Sequence, residues 1–211
     1  MDEIAHTGRQ VISYDQLGCG NSYLEGHPEL WTQETWMNEL IALREYLHLD
    51  QFHILGQSWG GMLIIAYLIE KKPEGVSSAI ISSGHPSSIL WANDRFMELH
   101  CASIDEKSPE CVRRPKRFGN EAYLYGWGPN EYVPTGSLGD FEYIDRLGEI
   151  KTPCLIFSGT EDLCTPAVAR AMHEGIPGSR WELMEGARHM CFVDRHEDYC
   201  RILSSWLEQH D

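Results

Sequence analysis

The chain has 211 residues, a length that suits one domain with an insertion and allows a sizeable core to be buried. With 42% hydrophobic and 23% charged residues it falls among globular rather than disordered proteins. Its formal net charge of −15 argues against a nucleic-acid partner, and its longest apolar run, Met62 to Ile69, is too short to cross a membrane.

The seven cysteines show neither a CxxC pair nor the spacing of metal ligands. Their odd number favours reduced thiols, as in a cytoplasmic protein, and the first twenty residues contain no apolar leader segment. We therefore expect a soluble cytoplasmic protein without a metal ion or cofactor. The oligomeric state is left open by these features.

The first predicted elements are a strand, a loop and a helix. Gln10–Tyr14 has the pattern of a short strand, and a glycine-rich loop follows it. A helix is predicted to begin at Thr32 or Gln33. Its apolar positions lie on one stripe that should face the core: Trp36, Leu40, Leu43 and Leu47.

The next stretch carries the strongest signal for chemistry. Phe52 begins an apolar strand, and the order strand, Gly-x-Ser-x-Gly, helix is the context of a nucleophile elbow around Ser58. Gly56 and Gly60 are expected to provide the clearance that so tight a turn needs. The following helix is predicted to bury one face: Met62, Ile65, Ala66 and Ile69.

The remaining core elements alternate in type. Strands are predicted at 77–82, 154–158 and 180–184, with helices after the second and third of these. Because parallel strands need crossover connections, this alternation predicts an α/β fold with a mostly parallel sheet and helices on both faces. Between the 77–82 and 154–158 strands, prolines interrupt this alternation. We therefore expect a core over 1–85, a lid inserted at 86–145, and a second part of the core over 146–211.

A serine nucleophile needs a base and a group that orients the base. In α/β-hydrolase sheets the chain order is serine, acid, histidine, each after a strand. Asp162 and His189 follow the 154–158 and 180–184 strands in that order and are the predicted partners of Ser58. Glu161 is the rival acid, and two rival bases are less well placed: His85 and His196.

Four segments together resemble the proline iminopeptidase family of α/β-hydrolases over nearly the whole chain. They read YDQLGCGNS, GQSWGG, WGPNEY and GTEDLCTP, beginning at Tyr14, Gly56, Trp127 and Gly159. The resemblance implies a serine aminopeptidase that releases an N-terminal residue, preferably proline, from small peptides or amides without a metal.

The resemblance also implies roles for individual residues. Ser58, Asp162 and His189 match the nucleophile, acid and base, and the backbone N–H of Trp59 is expected in the oxyanion hole. Trp127 and Glu131 lie in the WGPNEY segment and are expected to bind substrate. An aminopeptidase must hold a cationic amine at a fixed distance from its nucleophile, and a partly desolvated lid carboxylate such as Glu131 would do so.

The sequence departs from the family in two ways. Many relatives carry a second acidic residue after the triad acid, where this chain has Leu163. In the family a strand and a His-Gly-Gly-Pro-Gly loop also precede the segment that begins at Tyr14, and this chain has no such motif. We therefore expect an N-terminally truncated, weakly active enzyme whose lid is shortened between about Asp94 and Asn120.

Two alternatives stay open at this point. One is a carboxylesterase or amidase of the same fold, which Leu163 makes easier to accept. The other is a catalytically impaired, hydrolase-like binding module that uses the lid cleft without turnover.

Overall fold

A computed structural model describes residues 2–88, 118–131 and 134–211 of the chain. Within these residues four parallel strands form one sheet in the order β1-β2-β3-β4. The strands are β1 (Phe52–Gln57), β2 (Val76–Ser82), β3 (Cys154–Gly159) and β4 (Arg180–Met184). The predicted α/β class and parallel sheet are confirmed, and the four strands lie within two residues of their predicted bounds.

Seven α-helices are described around this sheet. They are α1 (Asp2–Ala5), α2 (Gln33–Tyr46), α3 (Trp59–Glu70), α4 (Asn120–Gly126), α5 (Pro166–Gly175), α6 (Cys191–Asp194) and α7 (His196–Gln209). The hydroxyl of Thr32 caps α2 by accepting from the backbone N–H of Thr35 at 3.2 Å. Three short 3₁₀ turns complete the described elements: Gly20–Ser22, Pro28–Leu30 and Ile144–Glu149.

The two faces of the sheet belong to separate apolar clusters. Ile81 and Ile156 face the cluster that contains α2, α3 and α5, while Ile80, Leu155 and Phe157 face the cluster that contains α7. Successive strand residues thus point to opposite faces, as the pleat requires. Helices cover both faces, as predicted.

The helix after the elbow is more deeply buried than the sequence suggests. Every residue of α3 from Gly61 to Ile69 is buried, so the prediction of a single apolar face is wrong. The reason is that α3 packs against β1 and β2 and also contacts α2 and the 3₁₀ turn Ile144–Glu149. A helix covered on all sides needs apolar residues all round.

Two predictions near β1 are also wrong. Gln10–Tyr14 forms no strand, and within the described residues neither it nor any other strand pairs with the outer edge of β1. A strand needs a hydrogen-bonding neighbour, and Gln10–Tyr14 is separated from β1 by a cavity of about 760 Å³. The predicted core stripe of α2 lines the same cavity: Trp36 is buried elsewhere, whereas Leu40, Leu43 and Leu47 are only half-buried.

About half of the predicted lid, 89–117 and 132–133, lies outside the described residues, as does most of the segment expected to be shortened. The described part of the predicted lid segment includes α4 and the buried Leu138 and Phe141. No helix in the described ranges combines the length and apolarity needed to span a bilayer.

Five cysteines fall within the described residues, and all five are free thiols. Cys154, Cys164, Cys191 and Cys200 are buried, whereas Cys19 is half-buried. Burial raises the pKa of Cys154 to about 12 and that of Cys191 to about 11. These thiols are therefore protonated at neutral pH.

Candidate active site

The turn between β1 and α3 holds Ser58 in a strained conformation. Its φ is +54° and its ψ is −117°, a combination that residues other than glycine rarely adopt. The backbone N–H of Ser58 donates to the carbonyl of Ser82 on β2 at 2.9 Å, which anchors the turn to the sheet. Such strain is typical of a nucleophile elbow, which exposes the serine hydroxyl above the sheet.

The two glycines of the motif differ in how much space surrounds them. A Cβ on Gly56 would lie 2.2 Å from backbone atoms of Gly60, so only glycine fits there. A Cβ on Gly60 would meet no described atom within 4 Å. The predicted need for clearance therefore holds at Gly56 and is wrong at Gly60, which borders the cavity beside β1.

Ser58, His189 and Asp162 form one hydrogen-bonded chain. The Oγ of Ser58 lies 2.8 Å from Nε2 of His189, and Nδ1 of His189 lies 2.9 Å from Oδ1 of Asp162. An ionised carboxylate only accepts, so Nδ1 carries the proton and Nε2 accepts from the serine hydroxyl. The three residues follow the carboxyl ends of β1, β4 and β3, respectively.

Burial separates the two rival acids. Asp162 is 1% exposed, and its carboxylate also accepts from the backbone N–H groups of Gly159 and Cys164 at 3.3 and 2.9 Å. Glu161 is exposed to solvent. The same loop thus places Asp162 against His189 and Glu161 outside.

The two rival histidines lie elsewhere. The Nε2 of His196 lies 3.1 Å from Glu3, and its Nδ1 lies 3.1 Å from the carbonyl of Phe192. His85 is buried among Trp127 and Phe141, and this burial lowers its pKa to about 3. His85 is therefore neutral at pH 7 and contributes to an apolar wall rather than to the chain at Ser58.

Two contacts that hold the His189 loop were not predicted. The side-chain amide of Gln57, next to the nucleophile, donates to the carbonyl of His189 at 2.8 Å. On the other side, the backbone N–H of Arg188 donates to Asp194 at 2.8 Å, and the two side chains form an ion pair at 2.9 Å. Neither contact follows from spacing, because each joins segments whose proximity depends on the fold.

Of the two predicted substrate residues, Trp127 packs against Trp59, the residue that follows the nucleophile. Trp59 and Trp127 meet edge to face at 6.4 Å, and Trp127 is only 7% exposed. Glu131 is half-buried and accepts from the hydroxyl of Tyr123 at 3.3 Å. Burial raises the pKa of Glu131, while the hydrogen bond from Tyr123 opposes that rise, as would His189 in its protonated form.

The N–H of Trp59 is the first of α3, and no carbonyl inside a helix faces its first N–H groups. Trp59 directly follows the nucleophile, and acyl-transfer sites of this kind use the backbone N–H of that residue as an oxyanion donor. At the position next to Asp162, Leu163 is buried against Cys164.

Two groups of possible metal ligands occur among the described residues. One is Glu3, His196 and Cys200, and the other is Asp162, Cys164 and His189. In the second group Nδ1 of His189 donates to Asp162, so it has no lone pair for a metal ion. That arrangement suits proton transfer rather than metal binding.

Comparisons with known proteins give a consistent result. Residues 1–100 match the family model for the alpha/beta hydrolase fold. The chain is 49% identical to the proline iminopeptidase of Clostridioides difficile (strain 630), over all of this chain and 84% of that protein. It is 46% identical to the proline iminopeptidase of Lactobacillus helveticus (strain DPC 4571), with the same coverage.

Solved structures agree with the sequence comparison. The crystal structure of proline iminopeptidase from Mycobacterium smegmatis superposes with a TM-score of 0.86 at 26% identity, over 99% of this chain and 84% of that one. VinJ superposes equally well, at 22% identity over 99% and 83% of the two chains, which shows the shared fold. Identity approaching one half over its full length, together with this fold, shows that the chain belongs to the proline iminopeptidase family of α/β-hydrolases.

Proposed function

We propose that this chain is a serine aminopeptidase that releases an N-terminal residue, preferably proline, from small peptides or amides. The observation that carries the proposal is the hydrogen-bonded chain from Ser58 through His189 to Asp162 in a member of this family. Its relatives are named proline iminopeptidases, and the free amine and proline preference come from that kinship.

The geometry suits acyl transfer in two steps. The Ser58 hydroxyl attacks the scissile carbonyl carbon while its proton passes to Nε2 of His189, and Asp162 stabilises the resulting imidazolium. His189 then gives this proton to the leaving amine, and the C–N bond breaks to leave an ester on Ser58. A water molecule activated by His189 hydrolyses the ester and restores the serine hydroxyl.

Charge that develops on the carbonyl oxygen needs hydrogen-bond donors. The backbone N–H of Trp59 supplies one, and the positive end of the α3 dipole adds to its effect.

Glu131 is the proposed anchor for the substrate amine. A half-buried carboxylate beside aromatic walls interacts more strongly with an ammonium group than an exposed one does, because less water screens the pair. Trp127 and Trp59 provide flat apolar surfaces for the ring of an N-terminal proline. The distance from Glu131 to Ser58 would then determine that one residue is released at a time.

The test is hydrolysis of a prolyl arylamide, compared with the same arylamide acetylated on the proline nitrogen and with an aryl acetate ester. We expect turnover of the free-amine substrate and at least a hundredfold loss on acetylation, because the acetylated nitrogen carries no charge for Glu131. Preference for the ester would instead favour the carboxylesterase alternative. Absence of turnover with all three, in protein that is folded, would favour the binding module.

Two substitutions assign the chemistry. Ser58→Ala should abolish both turnover and labelling by a fluorophosphonate, while leaving the melting temperature nearly unchanged. Asp162→Asn should lower kcat by about ten-thousandfold, since an amide would favour the wrong tautomer of His189. Glu161→Gln is the matched control on the same loop, and a comparable loss there would contradict the assignment of Asp162.

A further inference from the structure

The helix α4 holds both predicted substrate residues at its carboxyl end. Trp127 directly follows the helix, and its backbone N–H donates to the carbonyl of Tyr123 at 2.8 Å. The hydroxyl of Tyr123 donates to Glu131 at 3.3 Å. With seven residues α4 is about 10 Å long, and its internal hydrogen bonds keep its two ends in a fixed relation. The position of Glu131 therefore depends on where α4 is attached.

The chain beyond Glu131 returns to the same end of the helix. The backbone N–H of Thr135 donates to the carbonyl of Trp127 at 2.8 Å, and that of Leu138 donates to the carbonyl of Gly126 at 2.9 Å. Glu131 thus belongs to a segment that both leaves and rejoins the end of α4. A shift of the helix would carry this carboxylate with it.

The other end of α4 is attached to the core through the carboxylate of Glu121. Its Oε2 accepts from the backbone N–H of Gly26 at 2.8 Å. Its Oε1 accepts from the backbone N–H of His27 at 3.1 Å and from the indole N–H of Trp31 at 2.7 Å. The φ of Gly26 is +78°, which lets consecutive N–H groups turn toward one anion. The Gly26 N–H and the other donors lower the pKa of Glu121, so the carboxylate is charged at neutral pH.

Trp31 is a rigid point of attachment. It is 1% exposed and belongs to the apolar cluster that contains α2 and α3. Its ring and the methyl group of Ala122 on α4 both pack on the backbone of Gly18. The hydroxyl of Ser137, in the returning segment, donates to the carbonyl of Trp31 at 2.7 Å. Trp31 cannot shift without disturbing a close-packed cluster, so α4 and the returning segment are attached to a fixed part of the core.

We infer that Glu121 is a positioning residue for substrate specificity, an assignment that rests on the proposed function of Glu131 as the amine anchor. Its hydrogen bonds to the segment 26–31 set the position of α4, and α4 in turn holds Glu131 where the substrate ammonium group binds. Without this carboxylate three donors lose their acceptor, and α4 is free to shift. A misplacement of about 1 Å can cost about a hundredfold in the use of a bound group.

The test measures binding of L-prolinamide and N-acetyl-L-prolinamide by calorimetry in Ser58→Ala protein, so that hydrolysis plays no part. We expect the free amine to bind about tenfold more tightly than the acetylated compound. Adding Glu121→Gln should weaken binding of the free amine by about tenfold and leave that of the acetylated compound within about twofold, because only the free amine uses Glu131. Glu25→Gln is the matched control, since Glu25 is exposed beside Gly26.

A double-mutant cycle separates positioning from a general loss of structure. Glu131→Gln alone should weaken binding of L-prolinamide by about tenfold. Adding Glu121→Gln to Glu131→Gln should then change it by less than about twofold, because the anchor through which Glu121 acts is already lost. A purely structural role would instead weaken binding of both compounds, and by the same factor with or without Glu131.

The possible failures can be told apart. Equal binding of the two compounds by Ser58→Ala protein would overturn the amine anchor itself, and the positioning role with it. Retained selectivity in Glu121→Gln, or an equal loss in Glu25→Gln, would overturn the positioning role alone. If Glu121→Gln does not fold, Glu121→Asp decides, since its charged but shorter side chain cannot reach all three donors. Unchanged selectivity in that variant would likewise overturn the role of Glu121.

Discussion

The local sequence was sufficient to predict the residues of the hydrogen-bonded chain at Ser58, because each of them follows a strand with a recognisable apolar pattern. Asp162 and His189 could be chosen from their positions after β3 and β4, and burial then separates Asp162 from Glu161. Gln57 could not be identified in this way. Its amide contacts His189, 132 residues further along the chain, and only the folded sheet brings the two together.

Gln57 is expected to be a positioning residue. In Gln57→Ala the carbonyl of His189 loses its donor, so the imidazole should spend less time in line with Ser58. We expect kcat on the prolyl arylamide to fall about tenfold with little change in KM, and the free energy of unfolding to fall by about 1 kcal/mol. Gln51→Ala, at an exposed residue just before β1, is the control. A fall in KM and kcat together, or an equal effect at Gln51, would contradict a positioning role.

The raised pKa of Glu131 predicts how the KM depends on pH. Because burial raises its pKa above the ordinary value of 4.5, the carboxylate takes up a proton at a higher pH than an exposed glutamate does. The KM for a free-amine substrate should therefore rise as the pH falls through that raised pKa. Glu131→Gln should have a KM at pH 7 about tenfold or more above that of the unchanged enzyme, with no further rise in this range.

The effect of Glu131 on stability has the opposite sign. A raised pKa means that the folded state binds the proton more tightly than the unfolded state, so stability decreases as the pH rises from 4.5 through the raised value. At pH 7 Glu131→Gln should consequently have the higher melting temperature. A lower one would show that the charged form of Glu131 is stabilised by groups around it.

At the scale of elements, strands were easier to predict than the environment of each helix. The apolar, β-branched strands β2 and β3 are recognisable from their own residues. Whether α3 buries one face or all faces depends on what packs against it, and the same is true of the leucine stripe on α2. Gln10–Tyr14 has a strand-like sequence but lacks a partner strand among the described residues, and pairing is a non-local property.

The two glycines of the elbow give a matched pair of substitutions. Gly56→Ala places a methyl group about 2.2 Å from the backbone of Gly60, so it should lower the free energy of unfolding by about 3 kcal/mol or more. Gly60→Ala has open space and lies in the first turn of α3, where alanine is favoured over glycine by up to about 1 kcal/mol. Chemical denaturation of both variants measures the difference. Equal destabilisation would contradict the geometry of the turn.

At the scale of the whole molecule, the sheet has unequal edges and a well-covered centre. Every residue of β3 is buried, whereas five of the six residues of β1 are only partly so. The sequence predicted the strand order along the chain. The cavity beside β1 lies where segment 9–16 stands apart from the strand, and its size and lining depend on the fold as a whole.

Hydrogen exchange should reflect that asymmetry. We expect the amides of β3 to exchange with the free energy of global unfolding, and those amides of β1 that point away from β2 to exchange about a hundredfold faster or more. Mass spectrometry of peptides from the two strands measures the rates. The amides of β4, at the opposite end of the four described strands, are the comparison, and equal exchange rates in β1 and β3 would mean that the outer edge of β1 is covered in solution.

The buried thiols have a practical consequence. Cys154 begins β3 and Cys191 begins α6, and each keeps its proton at neutral pH, so neither reacts with an alkylating reagent until its surroundings come apart. The alkylation rate at each cysteine would thus report the rate of local opening in two separate regions. Cys19, half-buried in a loop, gives the reference rate for a more accessible thiol, and the measurement needs neither a fluorescent label nor an engineered reporter.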